Sequence, residues 1–169
     1  MADFIIFDRD GTLIEFQHYL VDPELIKIHE ETISGLQALR RSEFRFGIIS
    51  NQSIIGRGLA SVAQVNLVNS EMLKKFASFG IEFEFLYFCP HGPDDSCKCR
   101  KPKIELGLKA IREYQINVKN SYMIGDMDLD IVFGNSLGLN TIKISSDYSN
   151  IADFTAQDIL KAALWVIGH

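Results

Sequence analysis

The sequence predicts an α/β fold in which one parallel sheet lies between two layers of helices, and three observations support this. Short apolar runs alternate with segments in which apolar residues recur at helical spacing, as in strands joined by helical crossovers. These runs are apolar almost throughout, which is typical of parallel strands buried on both faces. The 169 residues suffice for one core, and no linker or repeat is visible, so we expect a single domain over 1–169.

The first part of the chain predicts two strands around one helix. FIIFD at 4–8 reads as a buried strand that ends on a carboxylate, and 9–31 lacks periodicity and is expected to be loop with short turns. Apolar residues at helical spacing predict a helix over 32–41. RFGIIS at 45–50 is the second predicted strand, and IIGRG at 54–58 is expected to be a loop because glycines interrupt it.

The middle of the chain predicts two helices around a third strand. A longer helix is expected over 61–79 and should end at Gly80, since glycine readily adopts a C-cap conformation. EFLYFC at 84–89 is the third predicted strand. Pro102 has the φ value of a first helical turn, so we expect it to start a helix over 103–114.

The last part of the chain completes the alternation. SYMIG at 121–125 and NTIKI at 140–144 are predicted strands, and 128–137 is a predicted helix between them. A closing helix is expected from Thr155 to Gly168, with Thr155 as its N-cap. Together these elements predict a three-layer, Rossmann-like arrangement.

The composition narrows the classes of function. A net charge of −5 argues against nucleic acid as a main partner but leaves room for a small anionic substrate in a local basic pocket. No apolar run approaches the roughly 18 residues that span a bilayer. The N-terminus lacks the basic start and long apolar run of a signal peptide. We therefore expect a cytoplasmic protein without a membrane partner, and no heptad indicates an oligomeric state.

Polar residues follow the predicted strands at their carboxyl ends, where open parallel sheets bind ligands. In chain order they are Asp8, Asp10, Ser50, Asn51, Gln52, Arg100, Lys101, Gly125, Asp126, Asp128 and Asp130. Each piece alone has an ordinary explanation, because D-x-D-G occurs in calcium loops and turns, and aspartates commonly cap helices. Their order and spacing at successive strand ends favour a shared site.

Such a site has the chemistry of phosphoryl transfer. Asp8, Asp10 and Asp126 offer hard oxygen ligands suited to Mg²⁺. A carboxylate beside Mg²⁺ can attack phosphorus to form an aspartyl-phosphate, and a second carboxyl two residues on can protonate the leaving oxygen. A hydroxyl from Ser50, backbone N–H groups and Lys101 can neutralise charge on the transferring group.

In these motifs the chain resembles the haloacid-dehalogenase-like phosphatases. DRDGT at 8–12, Ser50 after the second strand, Lys101, and GDMDLD at 125–130 match the four motifs of that superfamily in order, over roughly residues 3–144. Many members carry a cap domain after the first or second motif. Here about 40 residues separate the first motif from the second and about 50 the second from the third, and core elements use most of both intervals. We therefore expect no cap domain.

The resemblance also implies a role for each motif residue. Asp8 would be the nucleophile and Asp10 the general acid and base. Mg²⁺ would be held by Asp8, the backbone carbonyl of Asp10, and Asp126. The residues implied to hold the phosphoryl group or to support the metal site are Gly11, Ser50, Lys101, Gly125 and Asp130.

All three cysteines lie in CPHGPDDSCKCRKP at 89–102. Cys89, His91, Cys97 and Cys99 can supply four ligands, and Cys₃His is a normal tetrahedral set for structural Zn²⁺, with no position left open for catalysis. An odd number of cysteines is a poor disulfide framework. The alternative is a loop whose thiols cluster without metal in a reducing compartment. We predict a loop clipped by zinc.

The zinc loop is similar to that of one branch of the superfamily, which contains the histidinol-phosphate phosphatases and the D-glycero-D-manno-heptose 1,7-bisphosphate phosphatases. The resemblance implies that Arg100 contacts the substrate beyond its scissile phosphate, as the guanidinium fork can do. NQSIIGRG resembles the heptose pattern and implies substrate contacts from Asn51, Gln52 and Arg57, with a solvated loop charge as the alternative for Arg57. Tyr19 falls where the heptose enzymes carry an aromatic residue.

The substrate is expected to be a small phosphorylated metabolite chosen by loops 14–23, 52–58 and 89–100. The short spacer between the cysteine pairs and the KPK ending are more similar to the histidinol-phosphate members, which are often fused to a dehydratase. The stand-alone chain and the NQSIIGRG stretch favour heptose 1,7-bisphosphate, cleaved at its 7-phosphate. The further alternatives are a nucleic-acid 3′-phosphatase, a non-catalytic zinc-bearing interaction module, and a phosphotransferase.

Overall fold

A single parallel sheet of six strands runs through the protein in the order β3-β2-β1-β4-β5-β6. The computed structural model describes residues 1–169. The strands are β1 (Phe4–Phe7), β2 (Arg45–Asn51), β3 (Phe85–Cys89), β4 (Tyr122–Gly125), β5 (Asn140–Ile144) and β6 (Phe154–Ala156). The order reverses on either side of β1, so the sheet has a switch point at the strand that carries Asp8.

Six α-helices and two short 3₁₀-helices connect the strands. The α-helices are α1 (Glu30–Arg41), α2 (Ser53–Gly56), α3 (Val62–Ala77), α4 (Glu105–Tyr114), α5 (Asp128–Leu137) and α6 (Ile159–Gly168). The 3₁₀-helices are Pro23–Leu25 and Val118–Asn120. None of the helices combines the length and apolar character that a bilayer crossing requires.

Side chains of β1 alternate between two hydrophobic clusters, as the period of a strand dictates. Ile5 and Phe7 pack with α1, α3 and α6 on one face, whereas Phe4 and Ile6 pack with α4 and α5 on the other. All four are fully buried, and each contributes roughly 1.5–3 kcal/mol to stability. The prediction of a three-layer α/β fold without a cap domain is confirmed, because the segments on either side of β2 contain only helices of these layers.

The predicted closing helix from Thr155 is wrong in its first turn. Thr155 lies in the edge strand β6, which pairs with β5, and the helix begins at Ile159. Asp158 is the N-cap, since its side chain accepts a hydrogen bond of 2.8 Å from the N–H of Lys161. The three residues of β6 extend the sheet beside β5, and Ala156 packs into the larger hydrophobic cluster.

Pro102 does not start a helix either. The Lys101–Pro102 peptide is cis, and a turn follows in which the N–H of Lys103 donates to the carbonyl of Arg100 at 2.9 Å. Helix α4 begins only at Glu105. The proline therefore belongs to the loop that carries Lys101 into the sheet edge.

Smaller differences concern the glycines. The stretch IIGRG contains the single helical turn α2, and Gly56 lets it pack closely, because a Cβ there would lie 2.5 Å from the backbone nitrogen of Gly92. Helix α3 begins after the predicted residue Ser61, which caps it, and ends at Ala77, with Gly80 following at a φ of +73°.

Candidate active site and metal centre

The carboxyl ends of β1 and β4 bring three carboxylates together beside one lysine. Asp8 follows β1, Asp126 follows β4, and Asp130 lies in the first turn of α5; one oxygen from each lies within 4.8 Å of the others. The Lys101 Nζ atom lies 2.7 Å from Asp8 Oδ1 and 2.7 Å from Asp130 Oδ1, and it donates to the Ile49 carbonyl at 2.6 Å. The side chains of Lys101 and Asp130 are each only 1% exposed.

Burial gives this cluster an unusual electrostatic balance. It raises the pKa of Asp8 to about 7, with smaller contributions from the charges of Asp130 and Asp10, against the lowering effect of Lys101. Burial and the charge of Asp130 also raise the pKa of Asp126. Burial would lower the pKa of Lys101, but the charges of Asp8 and Asp130 outweigh it and the pKa is raised.

The donor set fits a divalent cation. Three carboxylates face one lysine, which leaves excess negative charge in a largely buried cluster at the wall of a cavity. Asp130 Oδ1 is ion-paired with Lys101 but makes no hydrogen bond of ordinary geometry, so it is the unsatisfied buried oxygen of the site. Mg²⁺ prefers such carboxylate oxygens and keeps waters in its remaining positions.

Two glycines allow the carboxylates to approach the loop backbone. Gly11 has a φ of +81°, and a Cβ there would lie 2.6 Å from Asp126 Oδ2. A Cβ on Gly125 would lie 2.4 Å from the Cβ of Asp130. The Thr12 hydroxyl donates to Asp126 at 3.4 Å, and the N–H of Met127 donates to Asp130 at 3.1 Å.

A hydrogen-bond network holds Asp10 at the rim of the site. The Arg9 guanidinium donates to both Asp10 oxygens, at 2.9 and 3.0 Å, and the Gln52 amide donates to Asp10 at 2.8 Å. The same Gln52 amide donates to the Ser50 hydroxyl at 2.7 Å, and Gln52 accepts from Arg9 at 2.9 Å. Arg9 also donates to Asn69 on α3 at 2.6 Å.

The expected substrate residues fall into two groups. Asn51 exchanges two hydrogen bonds with the backbone of Lys101, at 3.0 and 3.1 Å, so its amide fixes the loop at Lys101. Arg100 lies in the wall of the cavity that contains Asp8, and its guanidinium donates to the His91 carbonyl at 3.4 Å. Tyr19 and Arg57 do not line the cavity that contains Asp8; they line a neighbouring pocket that Asp10 also borders.

Two adjacent cavities open at the sheet edge. The first, of about 460 Å³, contains Asp8, Asp10, Arg100, Lys101 and Asp126. The second, of about 240 Å³, is lined by Arg9 and Asp10 and by residues of the segments 16–20 and 51–57. Asp10, Phe16, Asn51 and Ser53 border both, so the two cavities are adjacent.

The four predicted ligands of the cysteine loop lie together. Cys89 Sγ is 3.0 Å from Cys99 Sγ and 3.8 Å from Cys97 Sγ, and His91 Nδ1 lies 3.5 and 3.2 Å from Cys89 and Cys99. Ligand atoms of a tetrahedral site are separated by similar distances. Burial is the main reason that the pKa of the Cys89 thiol is raised to about 12, so a cation would be needed to hold it as thiolate. The cluster can therefore hold a metal ion.

Sequence reasoning missed three residues of the site. Arg9 stands between two motif aspartates and is 2% exposed; a charge within a buried segment was the available signal. Asn69 reaches the network from α3, and nothing in the helix sequence marks it. Phe16 is 62% exposed at the junction of the two cavities, and an exposed aromatic in a loop is hard to recognise in advance.

Comparison with known proteins places the chain in a family. Residues 98–166 match the HAD-hydrolase-like family model. A probable D-glycero-D-manno-heptose-1,7-bisphosphate 7-phosphatase of Thermoplasma acidophilum is 33% identical over 136 residues, which is 80% of this chain and 85% of that protein. The histidine biosynthesis bifunctional protein HisB of Blochmanniella floridana is 38% identical over 156 residues. That alignment covers 89% of this chain but only 43% of HisB, so the chain spans less than half of such bifunctional relatives.

Solved structures agree in fold. A D,D-heptose 1,7-bisphosphate phosphatase from B. bronchiseptica, complexed with magnesium and phosphate, superposes with a TM-score of 0.88 over 99% of both chains at 22% identity. A D,D-heptose 1,7-bisphosphate phosphatase from Burkholderia thailandensis superposes with a TM-score of 0.71 at 19% identity. Together with the four motifs at the sheet edge, these relationships establish that the chain belongs to the haloacid-dehalogenase-like phosphatases.

Proposed function

We propose that the chain is a Mg²⁺-dependent phosphomonoesterase that works through an aspartyl-phosphate on Asp8. The observation that carries the proposal is the position of the Asp8 carboxylate. It is held by Lys101, lies among Asp126 and Asp130, and faces a cavity that Asp10 also borders. A nucleophile, a cation site and an acid are thus within reach of one phosphoryl group.

In this proposal the reaction has two steps. An Asp8 oxygen attacks phosphorus, the bond to the leaving oxygen breaks, and Asp10 gives that oxygen its proton. Water then attacks the same phosphorus, Asp10 takes the proton from the water, and Asp8 is released together with phosphate. Lys101, Ser50 and backbone N–H groups neutralise the phosphoryl oxygens. Mg²⁺, when held by Asp8, Asp126 and the Asp10 carbonyl, would add positive charge at the phosphoryl oxygens.

The cysteine loop has a structural role in this proposal. Zn²⁺ bound by its four ligands would fill every coordination position, so it would hold the loop rather than react. The loop leads directly into Arg100 and Lys101, and Asn51 fixes the backbone of Lys101 from β2. Loading the loop with zinc would therefore set the position of both cationic side chains.

The favoured substrate is D-glycero-D-manno-heptose 1,7-bisphosphate, cleaved at its 7-phosphate. The relative from Thermoplasma acidophilum carries that activity in its name, and this chain covers most of its length. Arg100 and Arg57 border one each of the two adjacent cavities, where they can meet anionic groups beyond the scissile phosphate. With a net charge of −5 and no evident basic stripe, we propose a small metabolite rather than nucleic acid as substrate, and the cytoplasm as location.

Histidinol phosphate is the second candidate substrate. It is favoured by the identity of 38% to the HisB of Blochmanniella floridana and by the short spacer of the cysteine loop. A histidinol substrate is cationic beyond its phosphate, whereas the bisphosphate is anionic. The positive charge of Arg57 should therefore attract the second phosphate of the bisphosphate and repel the cationic part of histidinol phosphate.

The experiment is a comparison of kcat/KM for the heptose bisphosphate, histidinol phosphate and simple sugar phosphates, with and without Mg²⁺. Phosphate release should require Mg²⁺ and should disappear in Asp8→Asn, whereas Asp94→Asn in the exposed part of the cysteine loop is the matched control. Turnover that persists in Asp8→Asn contradicts the mechanism. Transfer of the phosphoryl group to an added alcohol, rather than release of free phosphate, would identify a phosphotransferase.

A further inference from the structure

The buried residue Arg9 is not needed for the chemistry described above, yet it makes an extensive set of contacts. Its guanidinium is 2% exposed and uses four of its five N–H donors, on Asp10, Gln52 and Asn69. Two of these bonds form a bidentate pair with the Asp10 carboxylate. Such pairs fix the plane of a carboxylate as well as its position.

Stability alone does not explain this arrangement. An apolar side chain of similar volume is often as stabilising as a buried ion pair, because desolvation of the charges offsets their attraction. Arg9 could also be a ligand for the substrate, since it borders the smaller cavity. Its burial and its hydrogen bonds argue against that role, because the donors a substrate would need are already engaged within the protein.

We propose that Arg9, oriented from helix α3 by Asn69, is a positioning residue for Asp10, a role that rests on the phosphatase function proposed above. Asp10 must direct one oxygen at the leaving group and later at water. The Arg9 fork and the Gln52 amide restrict rotation of its carboxylate, and Asn69 restricts rotation of the fork. Helix α3 thereby becomes part of the catalytic apparatus although it contributes no group that touches the substrate.

The two chemical steps respond differently if this is correct. With p-nitrophenyl phosphate the leaving group departs without a proton, so formation of the aspartyl-phosphate should not depend on Asp10. Attack by water still requires Asp10 to take a proton. In Arg9→Met the second step should slow by about 10²-fold, as expected for a misplaced catalytic group. Rapid mixing should then show a burst of p-nitrophenol equal to the enzyme concentration, with the binding of p-nitrophenyl phosphate unchanged.

Further variants separate this role from a structural one. Arg9→Lys keeps the charge but loses the fork and should show a smaller burst. Asn69→Ala should show the same pattern, weaker, while Asn66→Ala on the exposed face of the same helix should match the wild type. With an alkyl phosphate as substrate both steps need Asp10, and no burst should appear. A crystal structure of Asn69→Ala should show the Asp10 carboxylate rotated.

Several results would overturn the positioning role. Equal slowing of both steps with p-nitrophenyl phosphate would indicate a general structural defect, and weaker substrate binding with an unchanged kcat would make Arg9 a ligand. Wild-type kinetics in Asn69→Ala would remove the link to α3. If Arg9→Met fails to fold, the same burst measurements on Arg9→Lys and Asn69→Ala test the proposal. Absence of Mg²⁺-dependent phosphate release in the wild type would instead refute the phosphatase function itself.

Discussion

At the scale of single residues, Lys101 holds the site together. It is a fully buried cation between Asp8 and Asp130, and its ammonium also reaches the carbonyl of Ile49 in β2. One side chain therefore connects the ends of β1 and β2 with the start of α5. Without a bound divalent cation, it is the only positive charge in contact with this carboxylate cluster.

Replacement of Lys101 by methionine should strongly destabilise the protein in Mg²⁺-free buffer. Removing one partner of a buried ion pair leaves a charge unpaired, and the expected loss in unfolding free energy is about 3–5 kcal/mol. Lys74→Met is the matched control, because the Lys74 side chain is 68% exposed and pairs only with Glu71, a contact contributing about 0–1 kcal/mol. Urea unfolding measures both values. A similar loss in the two variants would contradict the central role of Lys101.

Gly11 offers a second test at this scale. Gly11→Ala meets both a positive φ and the Asp126 carboxylate, whereas Gly80→Ala meets a similar φ with no atom within 4 Å. Both variants should lose about 1–2 kcal/mol through backbone strain. Only Gly11→Ala should also weaken Mg²⁺ binding, because its methyl group displaces a proposed ligand. Calorimetric titration with Mg²⁺ separates the two effects, and equal affinities in both variants would exclude Gly11 from the metal site.

At the scale of elements, the sequence prediction succeeded in segments that are long enough to show one hydrophobic period, either that of a helix or that of a strand. The bounds of α5 and β5 agree with those predicted from the sequence. The prediction failed at Thr155, since a three-residue edge strand is too short to show a period and a threonine before a helix is usually its cap. Proline is common in the first turn of a helix, and this rule led to the wrong prediction at Pro102. Here the residue lies in the loop that carries Lys101.

The cysteine loop is the element whose order should depend on metal. Cys97→Ser should lose bound zinc, allow Arg100 and Lys101 to move, and lower kcat/KM for the phosphate substrate by about 10²-fold, as misplacement of positioned groups does. Ser96→Ala, one residue away and exposed, should leave both zinc content and activity unchanged. Metal analysis and kinetics check the pair. Full activity in a zinc-free Cys97→Ser would show that the loop does not position these side chains.

At the scale of the whole molecule, the sequence could place the motif residues because parallel strands end at one edge. That rule located Asp8, Ser50, Lys101 and Asp126 without knowledge of packing. It could not reveal Asn69, which comes from the middle of a helix and reaches the site only through the way α3 packs on the sheet. Contacts of this kind depend on tertiary structure, and no local pattern records them.

The charge balance of the site should govern how the stability of the whole protein depends on pH. The pKa of Asp8 rises from an ordinary value of 3.8 to about 7 on folding, mainly through burial. A raised carboxyl pKa means that the folded state binds the proton more tightly than the unfolded state. Stability from this group is therefore full below the unfolded value and is lost as the pH rises towards the folded value. Lys101, whose pKa is raised from 10.5, stays charged throughout that window.

The unfolding free energy of the Mg²⁺-free protein should therefore fall between about pH 4 and pH 7 more steeply than that of Asp8→Asn, which cannot ionise at this position. The difference between the two proteins isolates Asp8, because every other titratable group is common to both. Added Mg²⁺ should flatten the wild-type curve, since a cation bound to the carboxylates favours their ionised form. Urea unfolding at several pH values provides the measurement. Parallel curves for wild type and Asp8→Asn would mean that folding does not raise the pKa of Asp8, and would contradict this account of the pH dependence.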